Sequence, residues 1–307
     1  MSVLTRRAWR ASSWTARAGA AVTVLITLVV SGVATTTPAS ATSPTAAGAT
    51  RPKRIVSLSP TATEMLFAIG AGHQVVAVDD QSNYPKAAPR TKLSGFQPNV
   101  ESITGYRPDL VVLSDGTVAD SLRQLGIRVL VDPAANTLAD SYRQLTELGA
   151  VTGNRAGATR VIGSMKTALR SLAASVPKRS PEPTVYYELD NTFFSATSKT
   201  FIGQILATAG LKNIADQADS SGSGYPQLSQ EYIITANPSF VFLADSKCCA
   251  QNAATVSTRP GWSRIAAVTG KHVVTLDDDI ASRWGPRVVQ LLRTIVDATQ
   301  GRQAKAA

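Results

Sequence analysis

The chain has 307 residues, of which 44% are hydrophobic and 17% are charged, a composition that indicates a globular protein rather than a disordered one. This length exceeds what one hydrophobic core usually holds, which favours about two domains. The formal net charge of +10 includes four arginines in an N-terminal stretch without acids. The other 27 basic and 21 acidic residues are scattered along the chain, which argues against a nucleic-acid partner.

The N-terminal segment has the pattern of an export signal. Its arginines precede an apolar run at 20–30, and Ala39-Ser40-Ala41 has the small-x-small form of a signal-peptidase site. The apolar run is too short to span a membrane comfortably. We therefore predict a signal peptide over residues 1–41, with an uncleaved anchor as the alternative. No cysteine lies near the site, so we expect an exported protein, periplasmic or at the cell surface, that is not a lipoprotein.

Residues 42–52, rich in small and polar residues, predict a flexible linker. An N-terminal α/β lobe is expected over residues 53–152. Apolar runs predict its strands at 54–58, 75–78, 110–113 and 128–131, with helices between them. We interpret Thr61-x-x-Glu64 as a capping box that starts the first helix. Gly70 and Gly72 end that helix, so they do not form a dinucleotide fingerprint, which must follow a strand.

A connecting helix is predicted within residues 153–178, where apolar residues recur at helical spacing. The C-terminal lobe, residues 179–307, repeats the alternation, with predicted strands at 185–189, 240–243 and 272–276. Such alternation is typical of an α/β fold. We predict two Rossmann-like lobes with parallel sheets, joined by one long helix, with a ligand cleft between them.

One pattern occurs once in each lobe. Glu101 and Glu231 are each followed by a proline seven residues later, then by a buried apolar run, and by an aspartate at the fourteenth position. Each copy predicts a short helix, a proline that ends it and a parallel strand. The repeat indicates that the two lobes are similar.

Several motifs together resemble a known family. They are Arg54 to Pro60 with Thr63-Glu64, Ser82-Asn83-Tyr84-Pro85, Arg107-Pro108-Asp109-Leu110-Val111, the two glutamate copies and Gly285-Pro286-Arg287. The chain is similar, over about residues 53–300, to solute-binding proteins of ABC importers, in the helical-backbone class that carries cobalamin and iron–siderophore complexes. The resemblance implies a binding protein with no covalently bound cofactor, whose ligand is a corrinoid or a ferric chelate.

The cobalamin-binding branch of that family implies which residues line the cleft. They are Pro60, Tyr84, Phe96, Phe194, Tyr225, Asp279 and Arg283. Aromatic faces suit a broad apolar macrocycle, and a few polar groups suit its rim. Ser114 stands where the relative has a tryptophan, which leaves cobalamin and an iron chelate both open.

Simpler interpretations exist for the same residues. Tyr84 could pack a turn, Phe96 and Phe194 could belong to the core, and Arg283 could pair with Asp279 at the surface. The acidic triplet 277–279 is expected to be a solvated loop rather than a metal site.

In the resembling family the two glutamates dock onto arginines of the two permease subunits. We therefore expect Glu101 and Glu231 to contact an ABC permease, which works with its ATPase, and we expect the binding protein to be a monomer. The simpler interpretation is that both are first-turn acids that stabilise a helix N-terminus.

Cys248 and Cys249 are the only cysteines. Free thiols are disfavoured in an exported protein, so we predict a disulfide between them, although adjacent residues require a strained turn. The two histidines, His73 and His272, are too few for a bare-metal carrier. With no Gly-x-Ser-x-Gly motif, an enzyme is not expected; a two-lobe sensor and, less favoured, an enzyme remain the alternatives.

Overall fold

The computed structural model describes residues 50–302. The predicted signal peptide and most of the predicted linker lie outside the described residues. Both sheets of the fold belong to one compact unit. Within the described range, no helix is long and apolar enough to span a lipid bilayer.

The first sheet has five parallel strands in the order β3-β2-β1-β4-β5. They are β1 (Ile55–Leu58), β2 (Val75–Asp79), β3 (Arg90–Leu93), β4 (Leu110–Leu113) and β5 (Arg128–Val131). The helices of this half are α1 (Pro60–Ala68), α2 (Val100–Thr104), α3 (Ala119–Gln124) and α4 (Leu138–Thr152). The central strands β1 and β4 are fully buried, as expected for parallel strands that are covered on both faces.

The second sheet has four parallel strands in the order β7-β6-β8-β9. They are β6 (Thr184–Glu188), β7 (Lys212–Asn213), β8 (Phe240–Leu243) and β9 (Val273–Thr275). The remaining helices are α5 (Arg155–Ala174), α6 (Phe201–Thr208), α7 (Gln230–Ala236), α8 (Ser246–Cys249), α9 (Ala253–Ser257), α10 (Ala266–Thr269), α11 (Asp278–Ala281) and α12 (Val288–Thr299). The α/β fold with two parallel sheets is therefore confirmed, and α5 begins and ends inside the predicted connecting segment.

One face of each sheet packs on a single hydrophobic core. Leu110 and Val112 of β4, together with Phe240 and Phe242 of β8, belong to the same buried cluster, which also includes apolar residues of α5 and α12. The alternate residues of β4 and β8 point to two separate clusters on the outer faces. Because successive side chains of a strand point to opposite faces, each of these strands places half of its side chains in the core shared by both sheets and the other half in the separate core on the outer face of its own sheet.

The repeat seen in the sequence is present in the backbone. In both copies the helix, α2 or α7, leads to a residue in the left-handed region just before the proline, Arg107 at φ +47° and Asn237 at φ +45°. The strand that follows pairs in parallel with the first strand of its lobe, Ile55 with Leu110 and Val185 with Phe240.

The start of α1 differs from the prediction. Ser59, rather than Thr61, is the N-cap, and its side chain accepts a hydrogen bond from the Ala62 amide at 3.3 Å. Pro60 occupies the first turn, where its missing N–H costs nothing. The predicted capping box is therefore wrong, because Glu64 points across the molecule instead of back to the helix N-terminus.

Candidate functional site

The carboxyl ends of the two sheets meet. Beyond the end of β9, Asp279 of α11 accepts a hydrogen bond at 2.9 Å from the side-chain amide of Asn83, which follows the end of β2. Nearby, Arg283 donates to the carbonyl oxygen of Gln81 at 2.9 Å. Because ligands of open parallel sheets bind beyond the carboxyl ends of the strands, this junction is the place to look for a site.

A cavity of about 340 Å³ lies at the junction. It is lined by Leu58, Ser59, Pro60, Thr61, Asp79, Gln81, Gly95, Phe96, Ser114, Asp279, Ser282, Arg283 and Trp284. The first lobe supplies the ends of β1 and β2, and the second lobe supplies α11 and the residues after it. Four predicted site residues, Pro60, Phe96, Asp279 and Arg283, therefore come together; we call this space the interlobe cavity.

The exposed aromatic side chains are those that the sequence placed in the cleft. Among residues 50–302, the exposed Phe, Tyr and Trp side chains are Tyr84 (45%), Phe96 (84%), Phe194 (37%) and Tyr225 (45%). Phe96 and Phe194 are thus not core residues. Exposed aromatic rings offer rigid apolar surface on which a ligand can pack.

Phe194 and Tyr225 lie close together in the second lobe. Phe194 pairs with Gln227 in an isolated antiparallel bridge. Its neighbour Phe193 adopts a left-handed conformation, φ +69°, and stacks on Trp262 with 6.0 Å between ring centroids. This turn buries one phenylalanine and exposes the next. Neither Phe194 nor Tyr225 lines the interlobe cavity.

Tyr84 lies at a different cavity from the one predicted. It borders a groove of about 590 Å³ between α1, α5 and α12, whose lining is mostly apolar. The Arg287 guanidinium lies over the Tyr84 ring, 4.4 Å from its centroid. The structure therefore separates Tyr84 from Phe96, although both were assigned to one cleft.

Arg283 is buried at the junction, with only 6% of its surface exposed. Its Nη1 donates to Glu64 at 2.8 Å and to Asn83 at 2.9 Å, and its Nη2 donates to Asp279 at 2.9 Å as well as to Gln81. The expected pair with Asp279 is present, but it is not at the surface, since Arg283 is buried and also binds Glu64 of the first lobe.

Glu64 is the partner that the sequence did not reveal. It is 3% exposed and binds both Arg283 and Arg287 from the opposite lobe. Its partners lie 219 and 223 positions along the chain, a separation that no local pattern indicates. The only signal was the occurrence of Glu64 in a family motif.

The two carboxylates of the interlobe cavity differ in electrostatics. Burial would raise the pKa of Asp279, but hydrogen bonds from Lys247 and Asn83 and the charge of Arg283 outweigh burial and hold this pKa below its ordinary value. Burial raises the pKa of Asp79, although that carboxylate accepts hydrogen bonds from the amides of Gln81 and Ser82. Asp279 therefore remains ionised at neutral pH.

A second ion-paired arginine, Arg259, lies within the C-terminal lobe with 12% of its side chain exposed. Arg259 binds both oxygens of Glu188 at 2.6 Å and lies over the rings of Trp262 and Phe193. Asp245 is fully buried beside them, and neither of its oxygens has a hydrogen-bond partner among the described residues. Burial, with the charge of Glu188, raises the pKa of Asp245 to about 7.

The paired glutamates occupy the same helical position. Glu101 and Glu231 are each the second residue of their helix, after the N-caps Asn99 and Ser229, and both are exposed. Neither forms a salt bridge within the described part of the chain. Both are therefore available to a partner, and both are also placed to stabilise a helix N-terminus.

The predicted disulfide is absent, since Cys248 and Cys249 are both free thiols. They end the short helix α8, and adjacent Cα atoms about 3.8 Å apart lie closer than a disulfide normally allows. In the acidic triplet, Asp277 caps α11 and pairs with Lys247. No group of three or more metal-ligating side chains occurs within residues 50–302.

Comparison with known proteins identifies relatives over most of the chain. The family model described as periplasmic binding protein matches residues 55–280. The ABC transporter substrate-binding lipoprotein YvrC of Bacillus subtilis is 31% identical over 258 residues, 80% of each chain. A cobalamin-binding protein of Halobacterium salinarum is 32% identical over 258 residues, which cover 80% of this chain and 69% of that relative.

Solved structures share the same architecture. The crystal structure of a periplasmic haem-binding protein from Pseudomonas aeruginosa superposes with a TM-score of 0.71 at 26% identity, covering 83% of this chain and 94% of that one. The relatives therefore include binders of two different metallated macrocycles, and the fold alone does not choose between them.

Proposed function

The chain belongs to the periplasmic binding protein family, and from that premise we propose that it captures a corrinoid or a ferric chelate outside the cytoplasmic membrane and delivers it to an ABC importer. The observation that carries the proposal is the interlobe cavity at the carboxyl ends of both sheets, with Phe96 exposed on its wall. Phe96 is 84% exposed, so most of its ring is available to a ligand.

We propose distinct roles for the cleft residues. Phe96 packs on one face of the ligand, and Phe194 and Tyr225 contact it from the C-terminal lobe, because rigid aromatic rings bury a large area at little entropic cost. Pro60 and Asp279 border the ligand, and Arg283 holds the wall that the ligand touches. Tyr84 contributes less, because the Arg287 guanidinium covers its ring.

We propose that Glu101 and Glu231 dock onto the two permease subunits, whose ATPase then drives uptake. Two separate ion pairs fix orientation and encounter rate more than raw affinity. A sensor with the same cleft would bind the same ligand without needing these glutamates.

The protein is proposed to act as an exported monomer. Its relative in Bacillus subtilis is named a lipoprotein, whereas the cysteines of this chain are at 248 and 249, far from the predicted cleavage site. The mature chain is expected to begin near Thr42, which N-terminal sequencing of secreted protein tests.

Thermal shift of the mature protein with cyanocobalamin, haem and ferric siderophores tests the function, since a ligand that binds only the native state raises Tm by mass action. Phe96→Ala should remove most of the shift. Leu125→Ala is the matched control, since Leu125 is 60% exposed and does not line the interlobe cavity. If no ligand raises Tm, or if Leu125→Ala reduces the shift as much as Phe96→Ala, the proposed cleft is wrong.

A further inference from the structure

The charges around the interlobe cavity balance one another. The acids Glu64, Asp277 and Asp279 pair with the bases Lys247, Arg283 and Arg287. Among the residues that line the cavity, the only cation is Arg283, and the carboxylates are Asp79 and Asp279. The cavity therefore presents no uncompensated positive charge on its lining.

The Arg283 guanidinium has little capacity left for a ligand. A guanidinium carries five N–H donors, and Glu64, Asn83, Gln81 and Asp279 occupy four of them. One donor, Nε–H, remains, so a ligand carboxylate that bound Arg283 through both oxygens would have to displace one of these partners. Glu64 is 3% exposed, and a buried carboxylate that loses a partner is costly.

The N-terminus of α1, which also faces the cavity, does not supply an anion site. Pro60 has no N–H, the Ala62 amide donates to the Ser59 hydroxyl at 3.3 Å, and the Thr63 amide donates to the Ser59 carbonyl at 2.8 Å. Only the Thr61 amide remains. The helix terminus is thus largely satisfied by its own cap.

Several of the remaining polar groups on the lining can accept a hydrogen bond from a ligand. Asp79 and Asp279 are acceptors when ionised, and the hydroxyls of Ser114 and Ser282 can accept as well as donate. A primary amide on the rim of a ligand suits these acceptors, because it carries two N–H donors and no charge. A ligand rimmed with carboxylates would place negative charge beside Asp279, whose carboxylate is kept ionised by its salt bridges with Lys247 and Arg283. The two negative charges would repel each other.

We propose that Glu64 sets the specificity of the cleft: by holding Arg283 away from the ligand, it makes the cavity select a macrocycle rimmed with neutral amides and reject one rimmed with carboxylates. This inference rests on the proposed function and narrows it to an amide-rimmed corrinoid. Glu64 acts through Arg283 and is a positioning residue, since it does not line the interlobe cavity.

The test uses a matched pair of probes, cyanocobalamin and the same corrinoid with its peripheral amides hydrolysed to carboxylates, with affinities measured by calorimetry at pH 7.5. We expect the amide form to bind at least tenfold more tightly, and we expect added salt to reduce that ratio because charge repulsion is screened. Equal affinities would overturn the inference and leave the proposed function standing. Binding of haem but of neither corrinoid would also overturn it, and binding of no chelate would overturn both.

Glu64→Gln tests whether Glu64 positions Arg283. The measured quantity is the ratio of the affinities for the amide and carboxylate forms of the corrinoid, which a loss of protein stability alone does not change. Removing the negative charge of Glu64 leaves Arg283 and Arg287 with one carboxylate fewer and should lower the preference for the amide form at least fivefold. Glu182→Gln, an exposed substitution of the same type that does not line the cavity, should leave the ratio unchanged. A folded Glu64→Gln protein with the parent ratio would refute the role of Glu64. If that variant does not fold, the wild-type ratio and its salt dependence still decide the inference.

Discussion

Arg283 and Arg259 each form a salt bridge with a buried glutamate, but the two pairs have different surroundings. Arg283 joins the two lobes and belongs to a cluster in which three acids meet three bases, and Glu64 there has a second cation, Arg287. Arg259 and its partner Glu188 both belong to the C-terminal lobe. Among the described residues, Arg259 is the only cation that forms a salt bridge with Glu188. The buried carboxyl group of Asp245 lies beside this pair and has no hydrogen-bond partner among those residues. The first cluster is balanced at neutral pH, and the second is balanced only if Asp245 carries a proton.

The largest expected loss of stability comes from removing Arg259, because no other cation among the described residues pairs with its partner Glu188. Arg259→Met should destabilise the protein by about 3–5 kcal/mol, because it leaves the fully buried Glu188 without its counterion. Denaturant unfolding measures the loss. Equal stability of the variant and the parent would contradict the predicted contribution of the Glu188–Arg259 pair.

Arg283→Met should cost less, on the order of 2 kcal/mol, the scale of a lost hydrogen bond to a charged group. Glu64 keeps Arg287 in this variant. Lys247→Met is the control, since Lys247 is half-exposed and its ion pairs contribute little. A greater loss for Arg283→Met than for Arg259→Met would reverse the comparison.

The unbalanced cluster predicts a pH dependence. The pKa of Asp245 is raised to about 7 in the folded chain, against an ordinary value near 3.8, and burial with the charge of Glu147 raises the pKa of Asp132 to about 7 as well. The folded state therefore holds protons that the unfolded state releases between about pH 4 and pH 7. Stability should fall as pH rises through this window and level off above it.

Melting curves from pH 5 to pH 8 check this dependence. Asp245→Asn combined with Asp132→Asn should flatten the curve, while Asp120→Asn, a change at an exposed acid, should not. A parent protein whose Tm rises across the window would contradict the predicted protonation.

Ligand affinity should separate the aromatic residues by position. We expect Phe96→Ala and Tyr225→Ala each to weaken binding by roughly 1–3 kcal/mol, as truncation of an aromatic contact does. Tyr84→Ala should have a smaller effect, because the Arg287 guanidinium already covers the Tyr84 ring. Titration calorimetry measures all three, and an equal loss at Tyr84 would mean that the ligand reaches both cavities.

The smallest effect on stability is expected at the exposed glutamates. Glu101→Arg and Glu231→Arg should cost a few tenths of a kcal/mol each, from the lost interaction with the helix dipole, and should leave ligand binding intact. The double variant should fail to stimulate the ATPase of the cognate importer in proteoliposomes. Asp120→Arg is the matched control, because Asp120 is also the second residue of its helix and exposed. Full stimulation by the double variant would refute docking through these residues.

The sequence predicted correctly those features of the fold that depend on residues close together in the chain. Proline after a short helix and an unbroken apolar run locate β4 and β8, and the motif resemblance identifies the four aromatic residues that the fold exposes. The sequence did not predict features that depend on contacts between residues far apart in the chain. β3 has the polar sequence Arg-Thr-Lys-Leu, which shows no apolar run although it pairs with β2. Glu64 and Arg283 meet only because two lobes fold against each other, so their link has no local signal.

The core that both sheets share has a consequence for cooperativity. Since β4, β8, α5 and α12 bury their side chains in one cluster, neither lobe can unfold without exposing apolar surface of the other. The two lobes should therefore melt in one calorimetric transition, with equal van't Hoff and calorimetric enthalpies, and a fragment that ends before α5 should not fold by itself.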